Sequence, residues 1–362
     1  MIKNELEKRK IPDFFINDGK KISSREEWES YREEIKNQFL KIEYGYLPPK
    51  IEPEIKTEDQ MVNFANKARW ESIFFTFKNG SKAHQVRAEL VIPKSNKRVP
   101  MFVSIGFAKE VPNKYLPAEE IIDNGFGFIH FHYEDVSTDN NDFTNGLSSL
   151  FYNEGEKRSF SKISLWAYMA SACVDYLYTR EEVDKENIAV MGHSRLGKTA
   201  LLASALDERF ILTCSNESGC CGAAISRGKT DKNEDIAKIV EVFPFWFTED
   251  FGKYAKNEEK LPFDQHMLLA LIAPRYLMIG GAIEDVWADN EGQALSLYLA
   301  SYAWRLYGKN GFLLDGERLP RVGDILDKGE ACFHLREHSH FLSRYDWQVY
   351  MKKFKEILEI KR

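Results

Sequence analysis

The segment IAVMGHSRLGK, residues 188–198, carries the clearest chemical signal in the chain. An apolar run leads into Gly-His-Ser and then into an alanine-rich stretch, a pattern typical of a strand, a tight turn and a helix. A serine on such a turn has an accessible hydroxyl, and the helix N-terminus points at charge developing on a bound carbonyl. Ser194 is therefore a candidate nucleophile, with Gly192 required because a side chain there would collide across the turn. The alternative interpretation is that Ser194 only caps the helix.

A nucleophilic serine needs a histidine base, which in this arrangement follows both the serine and an acid along the chain. The histidines after Ser194 are His266, His334, His338 and His340. His338 and His340 lie between a short apolar strand and the last helical pattern, where the base is expected. His338 can also be interpreted as an exposed loop residue, and His266 as a core or loop residue.

Two acidic residues compete to be the partner of the base. Glu217 comes just after the strand that follows the serine helix, and Asp285 comes after the next strand along the chain. Either carboxylate could hold the imidazole tautomer and stabilise the imidazolium. Either could instead cap a helix or contact substrate, so the residues alone leave the choice open.

A metal site is the weaker interpretation of the remaining polar residues. His130 and His132 share one face of a strand, and Glu134 and Asp135 follow them. No third ligand from elsewhere in the chain has an obvious place beside them, whereas zinc sites need at least three protein ligands. We predict neither a metal nor a cofactor.

The composition of the chain restricts its partners. The 362 residues are 43% hydrophobic and 29% charged, as in globular proteins, and the net charge is −6 without a basic block. Nucleic-acid binding through phosphate neutralisation is therefore not expected. The longest apolar stretch, residues 267–273, is far too short to cross a bilayer, and we expect no membrane association. We expect a monomer.

The cysteines and the N-terminus bear on cellular location. The five cysteines are scattered, no CxxC pair occurs, and Cys220 and Cys221 are adjacent, which indicates free thiols. The first 15 residues contain no apolar run of the kind a secretory signal needs. We expect a cytoplasmic protein from this chain, or a secreted one if a leader was trimmed.

The apolar periodicity predicts the elements that position these residues. Strands are predicted over 72–77, 86–92, 99–105, 126–131, 188–191, 211–214, 276–280 and 333–335, and helices over 25–45, 163–178, 198–206, 292–307 and 347–360. The first three strands read as an antiparallel entry to the sheet. The later alternation predicts a mostly parallel sheet with helices on both faces. We predict one catalytic domain over 1–362, with a helical N-terminal extension over 1–50 and an insertion or lid over 222–262.

Several short segments together resemble the glucuronoyl esterases, carbohydrate esterase family 15. The family patterns G-C-S-R-x-G-K, E-S-G, L-P-F-D-x-H, A-P-R, W-A-D and G-G-H are similar to residues 192–198, 217–219, 261–266, 273–275, 287–289 and 338–340. Histidine replaces cysteine at His193 and glycine at His338. The last match favours His340 over His338 as the base, and the E-S-G match favours Glu217 as the acid. The α/β-hydrolase fold generally places the acid at Asp285.

The resemblance implies a three-layer α/β-hydrolase fold and cleavage of the ester between 4-O-methyl-glucuronate on xylan and lignin alcohols. Ser194 would attack the uronate carbonyl, and the oxyanion would meet the backbone N–H and the guanidinium of Arg195. Lys198 would bind sugar hydroxyls, with Trp287 against the sugar ring. The rival functions are an acetylxylan or cephalosporin-type deacetylase and a non-catalytic carbohydrate-binding relative.

Overall fold

A ten-stranded sheet organises the chain. The computed structural model describes residues 2–360 apart from 12–14, 18, 61–63, 315 and 317. The strands are β1 (Ile16–Asn17), β2 (Lys20–Lys21), β3 (Glu54–Asp59), β4 (Ala68–Asn79), β5 (Lys82–Pro93), β6 (Val99–Gly106), β7 (Gly127–His132), β8 (Val183–His193), β9 (Phe210–Asn216), β10 (Tyr276–Ala282), β11 (Ile325–Leu326) and β12 (Ala331–Arg336). Across the sheet the order is β11-β12-β10-β9-β8-β6-β7-β5-β4-β3, while β1 and β2 form a separate pair. Strands β6 to β10 and β12 run parallel, with antiparallel strands at both edges.

Helices cover both faces of this sheet. They are α1 (Ile2–Arg9), α2 (Arg25–Phe39), α3 (Ala118–Asp123), α4 (Tyr133–Val136), α5 (Lys162–Tyr178), α6 (Arg195–Leu206), α7 (Ile236–Val242), α8 (Gln265–Ala270), α9 (Asn290–Leu306) and α10 (Arg344–Ile360). Successive residues of a strand point to opposite faces. On β8, Val190 therefore joins the apolar cluster that contains Trp166 of α5, and Met191 joins the one that contains Trp347 of α10. The result is the expected three-layer α/β fold.

One predicted strand has the wrong neighbours. The run over 99–105 was expected to continue the antiparallel entry, but β6 lies between β7 and β8 and pairs parallel with both. Among the described strands, the antiparallel entry consists of β3, β4 and β5, and β5 pairs with β7. Apolar periodicity reports which residues are buried but not which strand lies alongside, so the sequence could not decide this point.

The segment 222–262 is more regular than its sequence suggests. It contains α7 and three short 3-10 helices, Pro244–Trp246, Phe251–Tyr254 and Glu258–Lys260. Thr248 N donates to Glu43 O at 2.8 Å, which ties the segment to the N-terminal region. No helix among the described residues is both long and apolar enough to span a membrane.

Candidate active site

Four neighbouring parallel strands bring the candidate residues to one edge of the sheet. Strands β8, β9, β10 and β12 are adjacent, and each is followed by one candidate residue. These residues are, in strand order, Ser194, Glu217, Asp285 and His340. The carboxyl ends of parallel strands lie at the same edge of a sheet. The strand arrangement therefore brings together residues that lie up to 146 positions apart in sequence.

The turn at Ser194 has the geometry of a nucleophile elbow. Ser194 has φ 58° and ψ −125°, and its backbone N donates to Asn216 O at 2.8 Å. A Cβ at Gly192 would lie 2.0 Å from the carbonyl oxygen of Leu196, so only glycine fits there. The Ser194 side chain makes no capping hydrogen bond to α6. The capping interpretation is therefore wrong.

The imidazole of His340 contacts both acidic candidates through the same nitrogen. Nδ1 lies 2.6 Å from Asp285 Oδ2 and 3.0 Å from Glu217 Oε2. Both carboxylates are buried, whereas the His340 side chain is 42% exposed. Because Nδ1 is committed to the acids, Nε2 is the nitrogen left for a proton from a nucleophile.

The carboxylate of Glu217 also binds two groups from the segment that carries His340. Arg336 Nη2 donates to Glu217 Oε1 at 2.7 Å, and Phe341 N donates to Glu217 Oε2 at 3.1 Å. Burial raises the pKa of Glu217 to about 7, although His340 and Arg336 act to lower it. For His340 the balance differs: burial acts to lower its pKa, but Asp285 and Glu217 raise it to about 9.

The guanidinium of Arg195, at the start of α6, is held by an ion pair and by two aromatic rings. Its Nη1 forms an ion pair with Asp139, which also accepts from Trp246 Nε1 at 2.6 Å. The guanidinium carbon lies 4.6 Å from the Trp246 ring centroid and 5.1 Å from that of Phe243. Arg195 Nε is buried and lacks a hydrogen-bond partner among the described residues. Arg195, the residue after Ser194, therefore carries a buried N–H that has no acceptor among the described residues.

The two predicted sugar contacts occupy different environments. Lys198 is buried, with Nζ donating to Ser218 O and lying 6.0 Å from the Trp246 ring centroid. Trp287 is 48% exposed, and Lys238 Nζ lies 4.9 Å from its ring centroid. Trp287 lies two residues after Asp285. Trp246 is the tryptophan that lies beside both Arg195 and Lys198.

The other histidines discussed above have separate environments. His338 is exposed, and His266 is buried in α8. Both ring nitrogens of His130 are used inside the protein, by Ser104 Oγ at 3.1 Å and Ala108 O at 2.8 Å. His132 Nδ1 lies 3.5 Å from Asp135 Oδ1. In the described part of the chain, three side chains could offer metal-ligand atoms within 4.8 Å of one another: His193, Glu217 and His340.

Sequence reasoning missed Asp139 and Trp246. Asp139 lies in the acidic segment 134–142, where nothing in the pattern distinguishes it from its acidic neighbours. Trp246 belongs to the segment 222–262, whose packing against Arg195 is a long-range contact.

The five cysteines are free and buried, and the sulfur atoms of Cys220 and Cys221 lie 3.8 Å apart.

This fold, with a serine on a strand–turn–helix and a histidine backed by carboxylates at the same sheet edge, defines a serine ester hydrolase of the α/β-hydrolase class. The family model for "Glucuronyl esterase, fungi" matches residues 75–308. The chain belongs to the glucuronoyl esterase family, carbohydrate esterase family 15.

Relatives from several sources agree with this family. Carbohydrate esterase MZ0003, from an unknown prokaryotic organism, is 32% identical over 96% of this chain and 89% of its own length. The 4-O-methyl-glucuronoyl methylesterase of Podospora anserina is 28% identical over 82% of this chain and 60% of its own length. A solved glucuronoyl esterase of the same family from Teredinibacter turnerae superposes with a TM-score of 0.87 at 27% identity, covering 98% of this chain and 90% of the other.

Proposed function

We propose that this esterase hydrolyses esters of glucuronate and 4-O-methyl-glucuronate, such as those between xylan and lignin alcohols. The observation that carries the proposal is the commitment of His340 Nδ1 to two buried carboxylates. That arrangement leaves Nε2 as the base for the serine turn. The relatives named as glucuronoyl esterases support glucuronate as the acid component of the ester.

In the proposed reaction, Ser194 Oγ attacks the uronate C6 carbonyl carbon while His340 Nε2 takes the hydroxyl proton. The tetrahedral oxyanion accepts hydrogen bonds from the backbone N–H of Arg195 and from its guanidinium, whose Nε has no acceptor among the described residues. Collapse of the intermediate expels the alcohol, which receives the proton from His340. Water then attacks the glucuronoyl ester of Ser194 by the same steps, releasing the uronic acid.

Ser194 and His340 form a Ser–His–acid triad in this mechanism, and Glu217 and Asp285 share the role of its acid. Asp285 makes the shorter contact, and Glu217 divides its oxygens among His340, Arg336 and Phe341. Both carboxylates favour the imidazolium that forms when Ser194 is deprotonated. The chemistry uses no metal and no cofactor.

The sugar and the alcohol meet different surroundings. Lys198 donates its remaining protons to sugar hydroxyls, and Trp287 offers an exposed ring face to the uronate. The alcohol receives its proton from His340, whose side chain is 42% exposed, so we expect the leaving group to lie toward solvent. This arrangement favours broad tolerance of the alcohol. The proposed steps need no residue from a second copy, and sedimentation of the active protein tests the expected monomer.

Removal of the nucleophile or the base tests the mechanism. We expect Ser194→Ala and His340→Ala each to lower kcat on methyl glucuronate by about 10⁴- to 10⁶-fold while the protein stays folded. Steady-state kinetics and circular dichroism measure both properties. A folded variant that keeps a tenth of the wild-type kcat would remove that residue from the mechanism.

A further inference from the structure

His193 lies directly before the candidate nucleophile, at the motif position where the family pattern has cysteine. Its ring is buried against the ring of His340, with 4.5 Å between the centroids and 37° between the planes. The same ring meets Phe107 edge-on and Tyr115 at a tilt, each with centroids 6.0 Å away. An aromatic ring that is itself enclosed therefore covers part of the half-exposed His340.

A hydrogen-bond chain fixes the plane of the His193 ring. His193 Nδ1 lies 2.7 Å from Asn216 Oδ1, and Asn216 Nδ2 donates to the Tyr350 hydroxyl at 3.1 Å. Because the amide nitrogen of Asn216 is engaged by Tyr350, its oxygen accepts from the Nδ1–H of His193. Burial and the nearby His340 lower the pKa of His193 to about 3, so this ring stays neutral when His340 becomes charged.

The two carboxylates restrain His340 at one atom only, Nδ1, about which the imidazole could still pivot. A flat ring packed against it removes that freedom. The face of a neutral aromatic ring also attracts a cation, which favours the imidazolium formed during the reaction. Cysteine in the family pattern offers no such ring.

We propose that His193 is a positioning residue that holds the imidazole of His340 for proton transfer and stabilises its charged form. The proposal rests on the assignment of His340 as the base in the proposed function. It does not depend on the identity of the ester, because the base takes the serine proton in every ester hydrolysis by this mechanism.

Three variants separate the ring from its hydrogen bond. His193→Phe keeps the ring and loses the bond to Asn216, His193→Gln keeps a donor and loses the ring, and His193→Ala loses both. We expect kcat to fall by about 10- to 100-fold in the Gln and Ala variants, the scale of a displaced catalytic group. We expect the Phe variant to stay within about threefold of wild type, and KM to stay unchanged in all three.

The measurement uses both methyl glucuronate and 4-nitrophenyl acetate, with thermal unfolding of each variant. Equal kcat losses on the two esters support the proposal. Absence of glucuronate turnover by the wild type would contradict the proposed substrate, and the acetate would still report on His193. Wild-type kcat in the Gln variant, or a folded Phe variant as slow as Ala, would overturn the proposal. If the Phe variant does not fold, the Gln variant decides: a kcat loss at unchanged KM supports the proposal.

Discussion

At the scale of residues, the environment of His340 sets the pH dependence of the reaction. A general base must be neutral to act, and Asp285 and Glu217, against burial, raise the pKa of His340 to about 9. We therefore expect kcat/KM to rise with pH up to about 9. Asp285→Asn or Glu217→Gln removes a negative charge that stabilises the imidazolium, which lowers the pKa of His340. The acid limb of the pH profile should therefore move to lower pH in either variant.

The same two variants measure how the acids share their work. Neutralising a sole triad acid costs about 10⁴-fold in kcat. We expect each single change to cost less than this and the double change to cost more than either. If Asp285→Asn abolishes activity while Glu217→Gln changes neither kcat nor the acid limb, Asp285 acts alone and the shared assignment is wrong.

At the scale of elements, the strand–turn–helix around Ser194 depends on a missing side chain. A Cβ at Gly192 would lie 2.0 Å from the backbone oxygen of Leu196, which cannot move without unwinding the first turn of α6. We expect Gly192→Ala to destabilise the protein by about 3 kcal/mol, at the upper end for overpacking, and to remove most of the activity. Urea unfolding and esterase assays check both effects.

Gly252 supplies the matched control for that substitution. The nearest atom to a Cβ at Gly252 is a Val240 methyl at 4.0 Å, and its backbone is outside the left-handed region. Gly252→Ala should therefore leave stability and activity close to wild type. Equal effects of the two substitutions would contradict the steric account of the turn.

The elements were largely predictable from sequence, and the site only in part. The parallel strands and long helices have strong apolar periodicity, whereas β3, α3 and α8 are short or lack a clear pattern. Glu217 and Asp285 were both identified, but the sequence could not decide which one is the acid. The strands that they follow, β9 and β10, are neighbours in the sheet, so both side chains lie at the same edge. The contacts of Asp139 and Trp246 with Arg195 join distant segments and have no local signal.

At the scale of the whole molecule, the N-terminal helix is tied to the loop that carries Asp285. Arg9 donates to both oxygens of buried Asp289, at 2.9 and 3.1 Å, and Lys229 adds a contact at 2.8 Å. We expect Arg9→Met to lower the free energy of unfolding by about 1–3 kcal/mol, as for hydrogen bonds to charged groups. The matched control is Lys8→Met, since among the described residues Lys8 forms an exposed pair with Glu5, and its loss should change stability by less than about 0.5 kcal/mol.

This ion-pair cluster also predicts how stability depends on pH. Although burial opposes it, Lys229 and Arg9 hold the pKa of Asp289 well below its usual range. The contribution of a depressed carboxyl is present above its unfolded pKa, about 4, and is lost as pH falls below that value. The destabilisation by Arg9→Met should therefore shrink below about pH 4 in chemical denaturation. A deficit that stays constant from pH 7 to pH 3 would contradict this electrostatic account.

We expect a preference for esters whose sugar ring is on the acyl side, because that ring stays bound to the enzyme after the alcohol leaves. In a uronate ester the ring remains attached to Ser194 after the alcohol leaves, so contacts from Lys198 and Trp287 can assist both acylation and deacylation. In a sugar acetate the ring leaves first, and an aryl acetate carries no sugar ring. Lys198→Ala should therefore affect the two ester types unequally.

The most direct test of the central claim is kcat/KM for methyl glucuronate and 4-nitrophenyl acetate, in the wild type and in Lys198→Ala. Lys41→Ala, at an exposed lysine, is the control. We predict that the wild type prefers the glucuronate ester and that Lys198→Ala depresses kcat/KM on it far more than on the acetate. Faster acetate turnover by the wild type, or equal losses on the two esters in a folded variant, would contradict the account and favour a deacetylase.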